Sequence, residues 1–321
     1  MGKNFRISIA PMIDYTDRHY RYMMRLITKR SFLYTEMIAA NAVLLGDRDY
    51  LLGYSEEEHP ISLQLGGNDP LKLAEASKVV EDWGYDEVNL NVGCPSERVQ
   101  EGLFGACLMA KPELVAESLL EMKRAVDIPV TVKHRIGIDN LESYEDLYHF
   151  VKVVLGSGCD RFIVHARIAI LGGLSPKDNR KIPPLRYEDV YRLKRDFPNI
   201  EIEINGGIKS LGEMEEQLGL TDGVMMGRLA YEDPFIFSGI DSLFYGDEES
   251  DITRSDVVMG MLPYIEEWTA KGHPLVRISR HMLNLWKGQP RAKSWRRYLS
   301  ENPRIREGAV NFMKEGLEMM L

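Results

Sequence analysis

Long apolar runs are missing from this chain of 321 residues. No window approaches the roughly 18 to 20 uninterrupted apolar residues that a membrane-spanning helix needs. The opening sequence, MGKNFRISIAPMIDY, has no apolar block long enough for a secretory signal, so a cytoplasmic location is expected. Cysteine is scarce: Cys94, Cys107 and Cys159 form an odd set with no Cys-x-x-Cys spacing, which excludes a disulfide framework and a structural zinc knot. A Gly-x-Gly-x-x-Gly fingerprint after an early strand is also lacking, as is any low-complexity tract. Rossmann-type dinucleotide binding is therefore not expected.

What is present is an ordinary globular composition, with 44% hydrophobic and 28% charged residues, outside the disordered and fibrous classes. The net charge of −9 hides an asymmetry. Residues 251–321 carry 12 Lys and Arg against 8 Asp and Glu, and within 271–306 ten basic residues face one acidic residue. An acidic body thus bears a basic segment, either a solvated helical face or a surface for a polyanion.

Eight short runs rich in β-branched and aliphatic residues recur at 7–12, 32–37, 61–65, 87–93, 130–135, 161–166, 201–206 and 223–228. Helical patterns with proper punctuation lie between most of them, as where Asp69-Pro70 opens a helix and Gly84 follows its end. Eight β units alternating with helices predict an α/β fold, a (β/α)8 TIM barrel, with strands buried on both faces. The Gly/Asp/Glu-rich stretch 246–251 reads as a linker. Helical spacing over 255–270, 276–287 and 294–320 predicts a small C-terminal all-helical domain. The expected domains are 1–245, a barrel, and 252–321, a helical unit.

Reactive groups of such barrels sit at the C-terminal ends of the strands. Those ends supply Pro11, Met12 and Asp14; Glu36; Gln64; Asn89, Asn91 and Cys94; Lys133, His134 and Arg135; His165 and Arg167; Asn205, Gly206 and Gly207; and Gly227 and Arg228. A packed core does not require polar groups at eight successive strand ends. Glycine turns after the last two strands fall where barrels build a phosphate site from backbone N–H groups. Arg228 is placed to add a charged hydrogen bond, and Lys133 to reach the same ligand from across the mouth. A mononucleotide such as FMN fits that pattern. Cys94, between Gly93 and Pro95, leaves strand four at the mouth; a free thiol is mostly protonated at neutral pH, with pKa about 8.5, so without special tuning it is able to act as a proton donor. Nucleophilic work would need a base, for which His134 and His165 are candidates by position. Cys107 and Cys159 read as packing residues.

Taken in order, IAPMIDYTDRHYR, LYTEM, EEEHPISLQLGGNDP, GYDEVNLNVGCPSERVQEGLFGACLM, PVTVKHRIGID, GLSPKDNRKIPPL, INGGIKS and DGVMMGR closely resemble the tRNA-dihydrouridine synthases over nearly the whole chain. GLSPKDNRKIPPL together with RHMLNLWKGQPRAKSWRRYLSEN resembles the A-type subfamily, which reduces uridines 20 and 20a in the D-loop of tRNA. The resemblance implies a flavoenzyme with tightly bound FMN and NADPH as electron donor. It carries FMN contacts onto Pro11, Met12, Ile13, Gln64, Lys133, His165, Asn205, Gly206, Gly207, Gly227 and Arg228, and the proton donor onto Cys94. It implies tRNA contacts at Asn91, Lys177, Arg180, Lys293 and Arg296, with no metal, membrane or protein partner. Two departures stand out: Ile168 and Ile170 follow Arg167 where the family has polar residues and often Trp, and His134 replaces a common Thr. A dihydroorotate-dehydrogenase-like enzyme for a free pyrimidine shares the barrel, FMN and cysteine but needs no basic helical domain. A catalytically idle tRNA-binding module needs no flavin residues.

Overall fold

A computed structural model describes residues 6–301 and 305–321. Its eight strands are β1 (Arg6–Ile9), β2 (Leu33–Ala39), β3 (Ile61–Gly66), β4 (Glu87–Val92), β5 (Val130–Arg135), β6 (Arg161–His165), β7 (Glu201–Asn205) and β8 (Gly223–Met226). They pair in parallel in the order β1-β8-β7-β6-β5-β4-β3-β2. The two ends of that row meet through Phe32, whose N–H donates to Ile7 O at 2.8 Å and whose carbonyl accepts from Ile9 N at 2.9 Å. The sheet therefore closes on itself, and the fold is the expected (β/α)8 barrel. Each strand lies within a few residues of its expected place. β1 stops early because Pro11 has no N–H to continue the ladder.

Local chemistry sets the helices. Asp69 accepts from Leu71 N at 3.1 Å and Lys72 N at 3.2 Å, capping Pro70–Asp82, with Pro70 at a first-turn position where an N–H is not needed. Ser143 and Asp146 form a reciprocal capping box at the start of Tyr144–Leu155.

The chain divides into two compact units. The first comprises residues 1–13, 32–54 and 59–227; the second comprises 14–31, 55–58 and 228–321. This is not a linear partition, since the early helix Arg18–Ile27 belongs with the C-terminal helices. Within the second unit that helix is tied down by polar contacts. Tyr20 Oη donates to Ala230 O at 2.8 Å, and Arg21 Nε to buried Glu58 Oε2 at 2.6 Å. Asp17, its N-cap, also meets Arg280 at 2.6 Å and His281 at 3.0 Å. Beyond the exposed, irregular stretch 246–251, helices run over Arg254–Ala270, Val276–Met282, Ala292–Glu301 and Ala309–Glu318. The expected run 294–320 is thus two helices, the second entered through Gly308 at φ 73°. Among the described residues, no helix is long and apolar enough to cross a membrane.

The barrel strands are buried on both faces, as expected, but they alternate. Val88, Leu90, Phe162, Val164, Ile202 and Ile204 occupy one parity; Glu87, Asn89, Thr131, Arg161 and Glu203 occupy the other. Members of the second set reach non-adjacent strands: Arg161 Nη2 meets Tyr34 Oη at 3.0 Å, Tyr34 Oη meets Glu87 Oε1 at 2.7 Å, and Ser8 Oγ donates to Glu203. Such contacts require side chains that point into the barrel. Arg161 pairs there with Glu87, and its Nε lies 3.2 Å from Glu203 Oε2. The interior thus holds a polar network together with an apolar cluster of Tyr34, Ile163 and Met225, while the outward parity is mostly apolar.

Candidate active site

At the C-terminal end of the barrel, Asn91 is in register with Lys133, Arg135 with His165, and His165 with Asn205. Strand pairing alone therefore gathers four of the predicted site residues on one rim, next to Arg135. Gln64 joins them from β3: its Nε2 donates to Asn89 Oδ1 at 2.7 Å, while its Oε1 accepts from Asn91 Nδ2 at 2.7 Å. Asn91 Oδ1 in turn accepts from Gly93 N at 3.1 Å and Cys94 N at 2.9 Å. One amide on a rigid strand thus fixes the turn that bears the thiol. The second N–H of Asn91 remains available to a ligand.

Cys94 is half-buried, its Sγ 3.5 Å from Ser96 Oγ. Its carbonyl accepts from Ala106 N at 2.9 Å. That approach depends on Gly105, at φ 74°, where a Cβ would lie 2.7 Å from Cys94 O. Burial raises the Cys107 and Cys159 thiols above their usual value, and Cys159 is enclosed.

Lys133 Nζ donates to Asn205 Oδ1 at 3.2 Å, and Asn205 Nδ2 to Met225 O at 2.8 Å. Loss of water, reinforced by the Arg135 cation, pulls the Lys133 pKa down to about 8. His165 is held well below its ordinary value, first by burial and then by the cations Arg135, Lys133, Arg167 and Arg180. It is a neutral imidazole at physiological pH, and its ring takes no protein hydrogen bond among the described residues. Gly206 (φ 121°) and Gly207 (φ 73°) continue β7; a Cβ on Gly206 would come within 2.6 Å of the His165 ring. After β8, Gly227 lies beside Ala10 and Met12, and Arg228 begins the next helix. Pro11 and Met12 are half-buried after β1, Met12 against the Tyr34, Ile163 and Met225 cluster, while Ile13 is exposed.

His134 goes elsewhere. Strand alternation turns it outward, where its ring lies 5.0 Å from Phe150 and 5.9 Å from Phe162, and Nδ1 meets Arg135 O at 2.7 Å. Burial lowers its pKa to about 4. Of these two histidines, His165 faces the rim. Lys177 and Arg180 are exposed on the loop after β6, which Asn179 organises by accepting from Ile170 N at 2.8 Å and donating to Ile170 O at 2.9 Å. In the second unit, Lys293 and Arg296 stand exposed, three residues apart on Ala292–Glu301, while Trp295 is buried and donates to Met282 O at 2.8 Å.

Asn89 and Arg135 were named among the strand-end groups without a role of their own, and the Glu87–Arg161–Glu203 network was not singled out in the sequence. The available signal was the parity of Glu87-x-Asn89-x-Asn91 and Lys133-x-Arg135, which marks one continuous inward face. No group of three or more His, Cys, Asp or Glu side chains able to hold a metal occurs among the described residues.

The donor set fits a flat anionic cofactor of the FMN kind. A half-desolvated ammonium, a neutral imidazole with open nitrogens and a carboxamide lie along adjacent strands in a field set by four cations. Positive-φ glycines follow at the strand end where barrels bind phosphate.

A closed barrel whose rim combines a backbone-clamped thiol with a cluster of cations suits anionic ligands or intermediates. Comparison with known proteins gives the family. The dihydrouridine synthase profile matches residues 8–318, and the chain belongs to that family. It is 55% identical to the tRNA-dihydrouridine(20/20a) synthase of Synechocystis sp. over 97% of this chain and 93% of that protein. Identity to the synthases of the same name is 54% for Shewanella oneidensis, covering 96% and 91%, and 53% for Escherichia coli K12, covering 98% and 91%. Among solved structures, a 2-naphthoyl-CoA reductase complex shares the fold at TM-score 0.56 and 11% identity, over 73% of this chain and 49% of that one.

Proposed function

We propose that this protein reduces the C5–C6 bond of uridines 20 and 20a in the D-loop of tRNA to 5,6-dihydrouridine, in the cytoplasm. The observation that carries the reading is the Cys94 turn clamped by Asn91, itself in register with Lys133, in a chain more than half identical to synthases of that name. FMN, when bound, would supply the hydride for uracil C6, with NADPH as electron donor. Every other task falls to the chain.

Lys133, His165, Gln64 and Asn205 would hold the cofactor, together with Pro11, Met12 and Ile13. Gly206, Gly207, Gly227 and Arg228 take its phosphate. The target uridine must leave its stack to reach the mouth, because a stacked base cannot present its C5–C6 bond. Asn91 offers its second amide N–H to the uracil edge. Cys94 delivers a proton to C5 while charge develops over C5 and O4, and the surrounding cations stabilise that charge. Lys177 and Arg180 contact tRNA beside the site; Lys293 and Arg296 contact it from the helical unit.

The test is the colour and chemistry of the purified protein. It should carry about one FMN per chain and form dihydrouridine in tRNA with NADPH. A preparation that stays inactive after FMN is added, or that turns over free dihydropyrimidines instead, overturns the assignment.

A further inference from the structure

Arg135 occupies an unusual position for a cation. It is 3% exposed, and among the described residues it makes no ion pair. Its partners are three backbone carbonyls: Nε donates to Gly93 O at 2.9 Å, and Nη1 to Ile168 O at 2.9 Å and to Asn179 O at 3.2 Å. Gly93 belongs to the turn of Cys94; Ile168 and Asn179 belong to the loop that carries Lys177 and Arg180. Burying an unpaired guanidinium is costly, so the position asks for something only this side chain supplies. A planar fork can bind three carbonyls in fixed directions, which a lysine point charge cannot.

The two loops are prepared to be held. Asn91 fixes the N–H groups of Gly93 and Cys94 from one side while Arg135 takes the Gly93 carbonyl from the other. Asn179 donates to Ile170 O at 2.9 Å and Leu174 O at 3.2 Å, so the segment whose carbonyl Arg135 grips is itself rigid. A thinner second strap joins the same two loops: Gln100 Nε2 donates to Pro95 O at 2.9 Å and to Leu171 O at 3.2 Å.

We infer that Arg135 is a positioning residue that locks the Cys94 turn and the 168–180 loop into one frame, so that one buried guanidinium sets the thiol and the cations Lys177 and Arg180 in register. What that register serves, proton delivery to an RNA base gripped by the same loop, rests on the function proposed above. The departure at Ile168 is compatible with this role, since Arg135 reads its carbonyl and not its side chain.

The experiment compares wild type, Arg135→Lys and Gln100→Leu as full-length, flavin-loaded proteins. Two quantities are read: the rate of iodoacetamide alkylation at Cys94, followed by peptide mass, and the reoxidation of reduced flavin by tRNA as separate kcat and KM values. In Arg135→Lys the released turn should alkylate about threefold faster or more. Reoxidation at saturating tRNA should fall about 10- to 100-fold, the usual consequence of misplacing a reacting group by an ångström, and KM for tRNA should rise with it. Gln100→Leu should move the same quantities in the same direction by less, and it decides the matter if Arg135→Lys does not fold. Wild-type alkylation and reoxidation in the folded variants would overturn the inference. A wild-type protein that does not act on tRNA would overturn the functional reading, while the alkylation comparison, which needs no RNA, still decides the positioning claim.

Discussion

The Oδ1 atom of Asn91 accepts the backbone N–H of Cys94 at 2.9 Å. That bond ties the candidate proton donor to the end of a fully buried strand, through an amide whose other end is held by Gln64. A thiol on a free loop would have to be ordered at each turnover, whereas this one is set by the barrel.

Cys94→Ala should keep normal FMN content and normal flavin reduction by NADPH, because neither needs the C5 proton. Dihydrouridine formation should drop by about 10²- to 10⁴-fold, the usual worth of a placed proton donor. Stopped-flow measurement of the two half-reactions separates the roles; equal reoxidation by tRNA in mutant and wild type would remove Cys94 from the mechanism.

Arg161→Met tests the polar interior. The substitution leaves Glu87 and Glu203 inside the barrel without their cation, and breaking one partner of a buried network typically costs about 3–5 kcal/mol. Urea unfolding should register a loss of that order. A variant as stable as wild type would mean that Tyr34, Thr131 and Ser8 satisfy both carboxylates alone.

His134 predicts a pH dependence. Its pKa is about 4 in the fold against an ordinary 6.5, so between these values the unfolded chain binds more protons. Stability is therefore full above pH 6.5 and is lost as pH falls toward 4. Between pH 7 and pH 4.5, His134→Phe should lose about 2–3 kcal/mol less stability than wild type. The lowered His19 and His281 act in both proteins and cancel in the comparison. Identical losses in the two proteins would show that His134 does not carry this linkage.

Lys293 and Arg296 stand on the solvent side of their helix, away from buried Trp295 and Leu299. Removing both should weaken tRNA binding and flatten the plot of log affinity against log salt by roughly 0.7 to 0.9 per lost phosphate contact, with no change in bound flavin. Superimposable lines for wild type and the double mutant would reduce these residues to a solvated face.

The barrel was legible because eight apolar runs alternate with helical patterns, most of them properly punctuated, and because glycine turns after strands seven and eight mark a fixed place in such folds. The rim was legible residue by residue, since strand ends are readable from sequence. Arg135 was legible as a strand-end group but its bridging role was not, because its partners are carbonyls at 93, 168 and 179, and backbone acceptors leave no residue-type signature. His134 was read as a rim candidate; counting parity from Lys133 turns it outward. The membership of Arg18–Ile27 in the second unit was hidden for a similar reason, since its anchors Glu58, Ala230 and His281 are distant in sequence.

The most direct test of the central claim is a single-turnover experiment without NADPH. Protein whose flavin has been reduced anaerobically is mixed with excess tRNA that lacks dihydrouridine, and the flavin spectrum and the modified nucleoside are both quantified. The account predicts one dihydrouridine, at position 20 or 20a, for each flavin reoxidised, abolished in Cys94→Ala. Reduced flavin that persists in the presence of tRNA, or that reoxidises without dihydrouridine appearing, would contradict it.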